Sequence, residues 1–282
     1  MQAPLSHNKS PTAAGLAAKQ HGVANLDSTR SVAVVTGGAC GIGRACVERF
    51  ARSGSAVLFT DRSEVDGVET ARALTEQGFC VAFLAGDVSD VMHCTLAIET
   101  AVRRFERVDM LVANAGIQLE GRLLEATAAD WQRVLGVNLM GVVNICKAAI
   151  PIMLAQGTGS IVVVSSLNAL RGFPGMAAYD ASKAAVLAVA RDIAVEYGGS
   201  IRANAVCPGA TLTDYHSRRA AARGVSLDEL RLSTRGYGLV GRAGEPAEIA
   251  AVIAFLAGPD ASFVTGQVIV ADGGYSAIGA RP

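Results

Sequence analysis

A tyrosine and a lysine four residues apart, Tyr179 and Lys183, are well suited by type and spacing to proton transfer. They lie in an alanine-rich run, 177–194, whose composition predicts a helix. Residues four apart share one face of a helix, so the phenol and the ammonium would point to one place. A nearby ammonium favours the phenolate and lowers the pKa of a tyrosine from about 10 toward neutrality. The pair suits a general acid/base working near pH 7, although it also fits a helix with an exposed lysine.

A glycine-rich turn is the second feature with chemical meaning. It follows the β-branched run 32–35 and precedes a helical stretch, 44–52. In that context glycines let the backbone approach a pyrophosphate, whose charge lies at the helix N-terminus. The spacing is Gly-x-x-x-Gly-x-Gly, which differs from the commonest dinucleotide pattern, and the alternative is a tight strand-to-helix turn. The candidate cofactor-binding residues here are Gly37, Cys40, Gly41, Ile42 and Gly43.

An acidic residue, Asp61, stands at the end of the second apolar run and about 20 residues beyond the glycines, where it can bond the adenosine ribose hydroxyls. It would also repel a 2′-phosphate, which favours NAD over NADP. The neighbouring Arg62 has the opposite effect, because an arginine there could meet a 2′-phosphate. The structural alternative for Asp61 is the N-cap of a helix that begins near Glu64.

Composition narrows the possible functions. The chain has 282 residues, half of them apolar, with 25 basic and 25 acidic side chains, which suits one large α/β domain or two small ones and removes the electrostatic case for nucleic-acid binding. No apolar run approaches the roughly 20 residues of a membrane span, so no membrane partner is expected. The six cysteines are scattered without Cys-x-x-Cys and indicate small core residues in a reducing compartment, the cytoplasm. The four histidines are far apart, and no metal site is predicted.

Apolar runs alternate with helical segments along the chain. This pattern predicts a single doubly wound parallel sheet, Rossmann-type, with helices on both faces. Residues 1–30 lack periodicity and are expected to be a disordered extension, with a transit peptide as the alternative. Residues 31–282 would form one dinucleotide-binding catalytic domain, interrupted by a polar, arginine-rich segment at 211–245. The predicted strands are 32–35, 56–59, 81–84, 110–113, 160–164, 203–206 and 267–270.

Polar residues follow these strands at the ends where ligands bind in such sheets. They should converge on one cleft. The set comprises the glycine turn, Asp61, Asp87, Asn114, Ser166, Pro208 and Gly209. One further polar residue, Asn138, lies inside a long helix predicted to run from a capping box at Thr127 and Asp130 to about Leu154, an unusual place for a poor helix former.

Together these motifs resemble the short-chain dehydrogenase/reductase family over residues 31–275. The resemblance rests on Thr36-Gly37-x-x-x-Gly41-x-Gly43, Asn114-Ala115-Gly116, Asn138, Ser166, Tyr179-x-x-x-Lys183 and Pro208-Gly209 in this order, with Asp272-Gly273-Gly274 near the end. Ser166 precedes Tyr179 by the thirteen residues usual in the family, which favours it over Ser165. The sequence departs from the family pattern at Ala113, where a second Asn is common, and at Cys40. The absence of a basic residue from the glycine turn supports NAD.

The resemblance implies a catalytic set with one role for each member. Tyr179 would transfer the proton to or from the substrate oxygen, and Lys183 would lower the tyrosine pKa and bond the nicotinamide ribose. Ser166 would hydrogen-bond the substrate oxygen, and Asn138 would hold a water in a proton relay. Hydride would pass between the substrate carbon and the nicotinamide. The resemblance also places Asp87 and Val88 at the adenine, Asn114 and Gly116 beside the cofactor, and Thr213, with Thr211 as a second candidate, at the carboxamide.

The substrate is open beyond the class of a secondary alcohol and its ketone, and a sugar or cyclic polyol is also open. Gln118, Asn168 and Tyr215 are expected to line the pocket because of their strand-end positions. Five arginines between Asp214 and Leu239 suit an anionic or CoA-like substrate, or simply a solvated helix pair. A 3-oxoacyl thioester reductase using NADPH is the specific alternative, and a non-catalytic nucleotide-binding protein is the alternative from another class. The resemblance implies a homotetramer, or a homodimer, with alanines such as Ala184 and Ala188 packing across a two-fold axis or inside the monomer.

Overall fold

Seven short apolar strands form the sheet in this computed structural model, which describes residues 30–277. Strands buried on both faces are expected to be almost continuously apolar, and the runs found in the sequence have that composition. Each strand lies within two residues of its predicted bounds. The strands are β1 (Val32–Thr36), β2 (Ala56–Asp61), β3 (Val81–Ala85), β4 (Met110–Ala113), β5 (Gly159–Val164), β6 (Ile201–Pro208) and β7 (Val268–Ala271).

The strand order is β3-β2-β1-β4-β5-β6-β7, and every neighbouring pair is parallel. The chain direction across the sheet therefore reverses between β1 and β4. In an open parallel sheet this reversal leaves a crevice beyond the carboxyl ends of the two strands. The residues that follow all seven strands are brought to the same edge.

Helices cover both faces of the sheet, so the predicted doubly wound fold is confirmed. One core joins the sheet to α3, α5 and α6, and the other joins it to α1, α2 and α9. The helices are α1 (Gly41–Arg52), α2 (Glu64–Glu76), α3 (Val91–Phe105), α4 (Ala128–Leu135), α5 (Gly141–Gln156), α6 (Ala177–Tyr197), α7 (Asp214–Ala221), α8 (Leu227–Ser233) and α9 (Pro246–Ala257). The short helices α7 and α8 occupy the arginine-rich segment 211–245.

The long helix predicted from Thr127 is not a single α-helix. The predicted capping box is confirmed, with Thr127 accepting from the Asp130 N–H and Asp130 accepting from the Thr127 N–H. A π-helical turn, Gly136–Met140, then separates α4 from α5. The continuous stretch Ala128–Gln156 is long and apolar enough on average to cross a membrane, although no contiguous apolar run indicates this. Half of its apolar window is buried inside the protein, as in a core helix of a folded domain.

The cysteines are only partly the core residues that the sequence predicts. Cys46, Cys94, Cys146 and Cys207 are buried, but Cys40 and Cys80 are half-buried. All six lie in the described part of the chain, and each is a free thiol. The expectation of a disordered extension at 1–30 falls on residues outside the described ones, except for Arg30.

A buried histidine links the ends of β2 and β3. The Nε2 atom of His93 lies 2.6 Å from the Thr60 hydroxyl, and a side chain on Gly86 would collide with the imidazole ring. Burial lowers the pKa of His93 below its ordinary value of 6.5, and the nearby carboxylates of Asp90 and Asp87 only partly oppose this. The folded protein therefore favours the neutral form of His93 more than the unfolded chain does.

This histidine predicts a loss of stability in mild acid. Below pH 6.5 the unfolded chain takes up a proton on His93 while the folded chain does not, so the free energy of unfolding decreases as the pH falls until the lowered pKa is reached. His93→Gln removes this titration and leaves a hydrogen-bonding group for Thr60. We expect the decrease in unfolding free energy between pH 7 and pH 5 to be smaller in His93→Gln than in wild type, measured by urea denaturation. Parallel curves would show that His93 does not contribute.

Candidate active site

At several positions in the turn between β1 and α1, the backbone conformation or the lack of space allows only glycine. Gly37 and Gly41 have φ angles of +66° and +55°, which side chains disfavour. A side chain on Gly43 would collide with the Gly37 carbonyl, and one on Gly37 would lie 2.9 Å from the Ala115 Cα. The first turn of α1 contains no acidic residue, and Cys40 provides no side-chain cap. The N-terminus of α1 therefore leaves its backbone N–H groups to an acceptor from outside the helix.

Hydrogen bonds fix this turn against the end of β4. The Thr36 hydroxyl accepts from the backbone N–H groups of Asn114 (3.0 Å) and Ala115 (3.1 Å). The Asn114 amide donates to the carbonyls of Thr36 and Gly37, at 3.0 Å each. Asn114 lies on the cleft as predicted, and its side chain also closes the reversal point between β1 and β4.

Asp61 is positioned by two backbone donors. Its Oδ2 accepts from the Ala39 N–H at 3.1 Å and its Oδ1 from the Ser63 N–H at 3.0 Å. The alternative that Asp61 caps α2 is wrong, because Ser63 is the N-cap and accepts from the Asp66 N–H. The charge of Asp61 is therefore fixed at the end of β2 and faces the cleft, which Arg62 also lines.

Asp87 follows β3 and holds its own turn. Its Oδ1 accepts from the Ser89 N–H (2.9 Å) and hydroxyl (2.8 Å). Burial raises the pKa of Asp87, but the two bonds from Ser89 together with nearby charges such as that of Arg62 outweigh burial, and its pKa lies below the ordinary value. The carboxylate is accordingly ionised at neutral pH on the same side of the cleft as Asp61.

Tyr179 and Lys183 lie one turn apart on α6, as the spacing predicts. The Lys183 ammonium is 5.9 Å from the centre of the Tyr179 ring. Lys183 is only 4% exposed, and its ammonium donates to the Val164 carbonyl at 2.9 Å. Burial lowers the pKa of Lys183 from 10.5 to about 8, and only Cys207 opposes this shift. The protein thus keeps a poorly solvated ammonium next to the phenol, which is an arrangement that favours a phenolate.

The two serines after β5 differ in their contacts. The Ser165 hydroxyl donates to the backbone carbonyl of Lys183 at 2.7 Å, so it anchors α6. The Ser166 hydroxyl accepts from the Asn168 N–H at 3.2 Å, begins a short 3₁₀ turn and lines the cleft. These contacts favour Ser166 over Ser165 as the group that meets a ligand.

Asn138 lies in the π-helical turn and is fully buried behind the cleft. Its Oδ1 accepts from the Ile117 N–H at 2.7 Å, and its Nδ2 donates to the Ile117 carbonyl (2.9 Å) and the Ser182 hydroxyl (3.0 Å). π turns inside α-helices are frequent at functional sites. The asparagine in this helix is explained by contacts with distant parts of the chain, because it joins the loop at Ile117 to α6.

The loop after β6 closes the cleft over the glycine turn. The Thr211 hydroxyl donates to the Gly209 carbonyl at 3.0 Å, and the Thr213 hydroxyl lies 2.9 Å from Nδ1 of His216. Asp214, at the start of α7, accepts from the Gly41 N–H at 2.8 Å. This contact between residues 173 positions apart was not predicted, and a carboxylate so far along the chain carries no local signal for it.

A single cavity of about 690 Å³ collects most of the predicted site. Gly43 and Asn138 lie behind its wall, and the side chain of Tyr215 is outside what the structure describes. The sequence reading missed Phe173, His216 and Tyr237, which also line the cavity. The predicted residues on its wall are Gly37, Cys40, Gly41, Ile42, Asp61, Arg62, Asp87, Val88, Asn114, Gly116, Gln118, Ser166, Asn168, Tyr179, Lys183, Pro208, Gly209, Thr211 and Thr213.

Among residues 30–277, no group of three or more His, Cys, Asp or Glu side chains is placed to hold a metal ion.

Comparison with known proteins agrees with this geometry. The short-chain dehydrogenase family model described as Enoyl-(Acyl carrier protein) reductase matches residues 37–276. A probable short-chain type dehydrogenase/reductase of Bradyrhizobium diazoefficiens is 40% identical over 87% of this chain and 87% of its own length. The chain belongs to the short-chain dehydrogenase/reductase family.

Two further relatives illustrate the range of the family. A 3-oxoacyl-[acyl-carrier-protein] reductase of Thermotoga maritima is 39% identical over 86% of this chain and 96% of its own length. The crystal structure of levodione reductase superimposes with a TM-score of 0.81 at 33% identity, covering 88% of this chain and 98% of that one. The family comprises oxidoreductases that bind a nicotinamide cofactor and act on alcohol or ketone substrates.

The buried lysine predicts a stability effect in base. Between pH 8 and pH 10.5 folded Lys183 loses its proton while the unfolded chain keeps it, so the free energy of unfolding rises with pH across this window. Lys183→Met lacks this titration. We expect wild type to gain stability relative to Lys183→Met as the pH rises from 8 to 10, measured by denaturant midpoints at matched ionic strength. A constant difference between the two proteins would contradict the assigned pKa.

Proposed function

We propose that this protein is an NAD(H)-dependent oxidoreductase that interconverts a secondary alcohol and a ketone. The observation that carries the proposal is that Ser166, Tyr179 and Lys183 share one cavity wall with the glycine turn. A nicotinamide cofactor, when bound, supplies or accepts the hydride. The glycine turn fits such a group, because its glycines let the backbone approach a pyrophosphate and α1 brings no acidic residue of its own; of its N–H groups, that of Gly41 is bound by Asp214 from α7.

Proton transfer is assigned to Tyr179. The Lys183 ammonium, 5.9 Å from the ring, favours the phenolate and so helps the tyrosine to take a proton from an alcohol near neutral pH. In the reverse direction the phenol returns the proton to the ketone oxygen. Ser166 donates a hydrogen bond to the substrate oxygen and stabilises the charge that develops there. Lys183 also bonds the nicotinamide ribose.

Asn138 is assigned to the proton relay. Its side chain is held by Ile117 and Ser182, and its Oδ1 and the Lys183 ammonium are both near Gly116, where an added Cβ would lie 3.3 Å from each atom. Glycine at that position leaves space between the two polar groups. We propose that a water in this space passes protons between the site and solvent.

The preference for NAD is assigned to Asp61. Two backbone N–H groups hold its carboxylate toward the cleft, so it can accept from ribose hydroxyls and repel a 2′-phosphate. Cys40 stands in the turn, where a basic residue would serve NADP. Asp87 and Val88 are assigned to the adenine, Asn114 to the adenosine ribose and Thr213 to the carboxamide.

The second candidate is a 3-oxoacyl thioester reductase that uses NADPH. The Thermotoga maritima relative and the exposed loop arginines Arg223 and Arg235 favour it. Two other loop arginines are already paired within the protein, Arg218 with Asp66 at 3.1 Å and Arg231 with Glu245 at 3.6 Å. The loop therefore has less free positive charge than its composition implies, which weakens the case for an anionic acyl carrier.

The assembly proposed is a homotetramer, or a homodimer. On α6, Ala184 and Ala188 are exposed on one face, while Ala190 is buried in the monomer. Small exposed residues allow close helix packing across a two-fold axis. We further propose one catalytic domain over 31–282, with 211–245 as the substrate loop, in the cytoplasm, where six free thiols are stable.

Turnover of a substrate panel tests the proposed activity. Purified protein is assayed with cyclohexanol, 2,3-butanediol and acetoacetyl-CoA, each with the oxidised or reduced forms of NAD and NADP in parallel. We expect alcohol oxidation with NAD. Tyr179→Phe should bind NAD as wild type does but lose turnover by about 10²- to 10⁴-fold, because general acid/base catalysis is removed. Reduction of acetoacetyl-CoA with NADPH alone would support the second candidate, and equal turnover by Tyr179→Phe would contradict the mechanism. No turnover in any arm would favour a non-catalytic nucleotide-binding protein.

Paired variants at the end of β2 test the cofactor preference. Asp61→Asn removes the charge that repels a 2′-phosphate, so kcat/KM with NAD should fall about tenfold and kcat/KM with NADP should rise, on the order expected for one charged hydrogen bond. Arg62→Ala is the matched variant and should leave the use of NAD unchanged. If Arg62→Ala instead lowers kcat/KM with NADP while Asp61→Asn changes neither cofactor, the preference lies with Arg62.

A further inference from the structure

Asp180 makes contacts that the proposed mechanism does not use. It follows Tyr179 directly and is half-buried in the first turn of α6. Its Oδ1 accepts from the Asn168 amide at 2.6 Å, and its Oδ2 accepts from the backbone N–H of Phe173 at 3.0 Å. Both partners lie in the loop between Ser166 and α6, and Phe173 lines the cavity. Asp180 thus joins the substrate side of the cavity to the helix that carries Tyr179.

Asn168 continues this connection to Ser166. Its backbone N–H donates to the Ser166 hydroxyl at 3.2 Å, and its Oδ1 lies 3.5 Å from the same oxygen. A carboxylate only accepts, so Asp180 binds the NH₂ side of the amide and turns the carbonyl side toward Ser166. The Ser166 hydroxyl then donates only weakly to the Asn168 oxygen. When substrate binds, the same hydroxyl can donate to the substrate oxygen in its place.

A purely local role does not account for these bonds. A carboxylate in the first turn stabilises a helix through its dipole wherever it points. Asp180 instead contacts residues 12 and 7 positions earlier in the chain, and both of its oxygens are committed to them. The short 2.6 Å bond also indicates a charge-assisted interaction that constrains geometry.

We propose that Asp180 is a positioning residue for catalysis: through Asn168 and Phe173 it holds the loop from Ser166 to Phe173 and so sets the Ser166 hydroxyl relative to the Tyr179 phenol. This inference rests on the proposed function. Asp180 touches neither substrate nor cofactor in this role. Two neighbouring residues on α6 thereby divide the work, with Tyr179 transferring the proton and Asp180 fixing the group that shares the substrate oxygen.

Hydrogen exchange and kinetics on Asp180→Ala test the proposal. Loss of both acceptors should raise amide exchange in residues 167–176, a readout that needs no turnover and so is independent of the proposed function. With NAD and the panel alcohol that wild type oxidises fastest, kcat should fall about 10- to 100-fold, since misplacement by about 1 Å can cost about 100-fold. The KM for NAD should stay within twofold. Asp192→Asn, an exposed aspartate on the same helix, is the matched control and should match wild type in both measurements.

Asn168→Asp gives a pH signature that a merely structural role would not produce. It places two carboxyl groups at a distance where they share one proton or repel. Its kcat relative to wild type should be low at neutral pH and recover as the pH is lowered into the range where one carboxyl is protonated. If Asp180→Ala is too unstable to study, Asp180→Asn removes one acceptor and should show a smaller change of the same kind.

Three outcomes would overturn the positioning role. The first is faster exchange in 167–176 with unchanged kcat, and the second is reduced kcat with unchanged exchange. The third is a pH profile of Asn168→Asp that parallels that of wild type. Failure of wild type to oxidise any alcohol would instead count against the proposed function. The exchange measurement would then still test whether Asp180 holds the loop through Asn168 and Phe173.

Discussion

The cleft depends on four hydrogen bonds that join the ends of β1 and β4. Thr36, which is 2% exposed, accepts two backbone N–H groups through its hydroxyl, and Asn114 donates twice to the carbonyls of the turn that follows. These bonds lie where the strand order reverses. The carbonyls of Thr36 and Gly37 find their hydrogen-bond partner in Asn114 after β4. The glycine turn therefore lies beside the cleft and is not packed over it. The position of α1, and with it the anion-binding end of that helix, follows from this closure.

A buried ammonium is the energetic counterpart of this closure. Lys183 is almost fully enclosed, and its ammonium donates to the Val164 carbonyl, so its charged form is poorly solvated and its pKa falls to about 8. Burying a charge costs stability unless it is paired. The surrounding core of α3, α5, α6 and the sheet compensates for that cost. Stability is thus exchanged for an electrostatic field at Tyr179, as is common where a titratable group is tuned for proton transfer.

The walls of the cavity come from segments that are tied together by single side chains. Asp214 connects α7 to the glycine turn, Asp180 connects the loop after β5 to α6, and Asn138 connects Ile117 to α6. In each case a side chain with two or more polar atoms joins backbone or side-chain groups from distant parts of the chain.

Local sequence determined the elements and much of the site. The β-branched runs, the capping box at Thr127 and the spacing of Tyr179 and Lys183 depend on neighbours within one turn or strand, so they can be read without the fold. The strand-end rule placed Asp61 on the cleft because parallel strands share one carboxyl edge. Only the tertiary structure decided the rest. The π turn around Asn138 and the roles of Asp180 and Asp214 depend on hydrogen-bond partners from 7 to 173 residues away along the chain. A hydrogen bond is directional and short, so which distant donor meets a given carboxylate is settled by how the helices pack, and composition and periodicity carry no record of it.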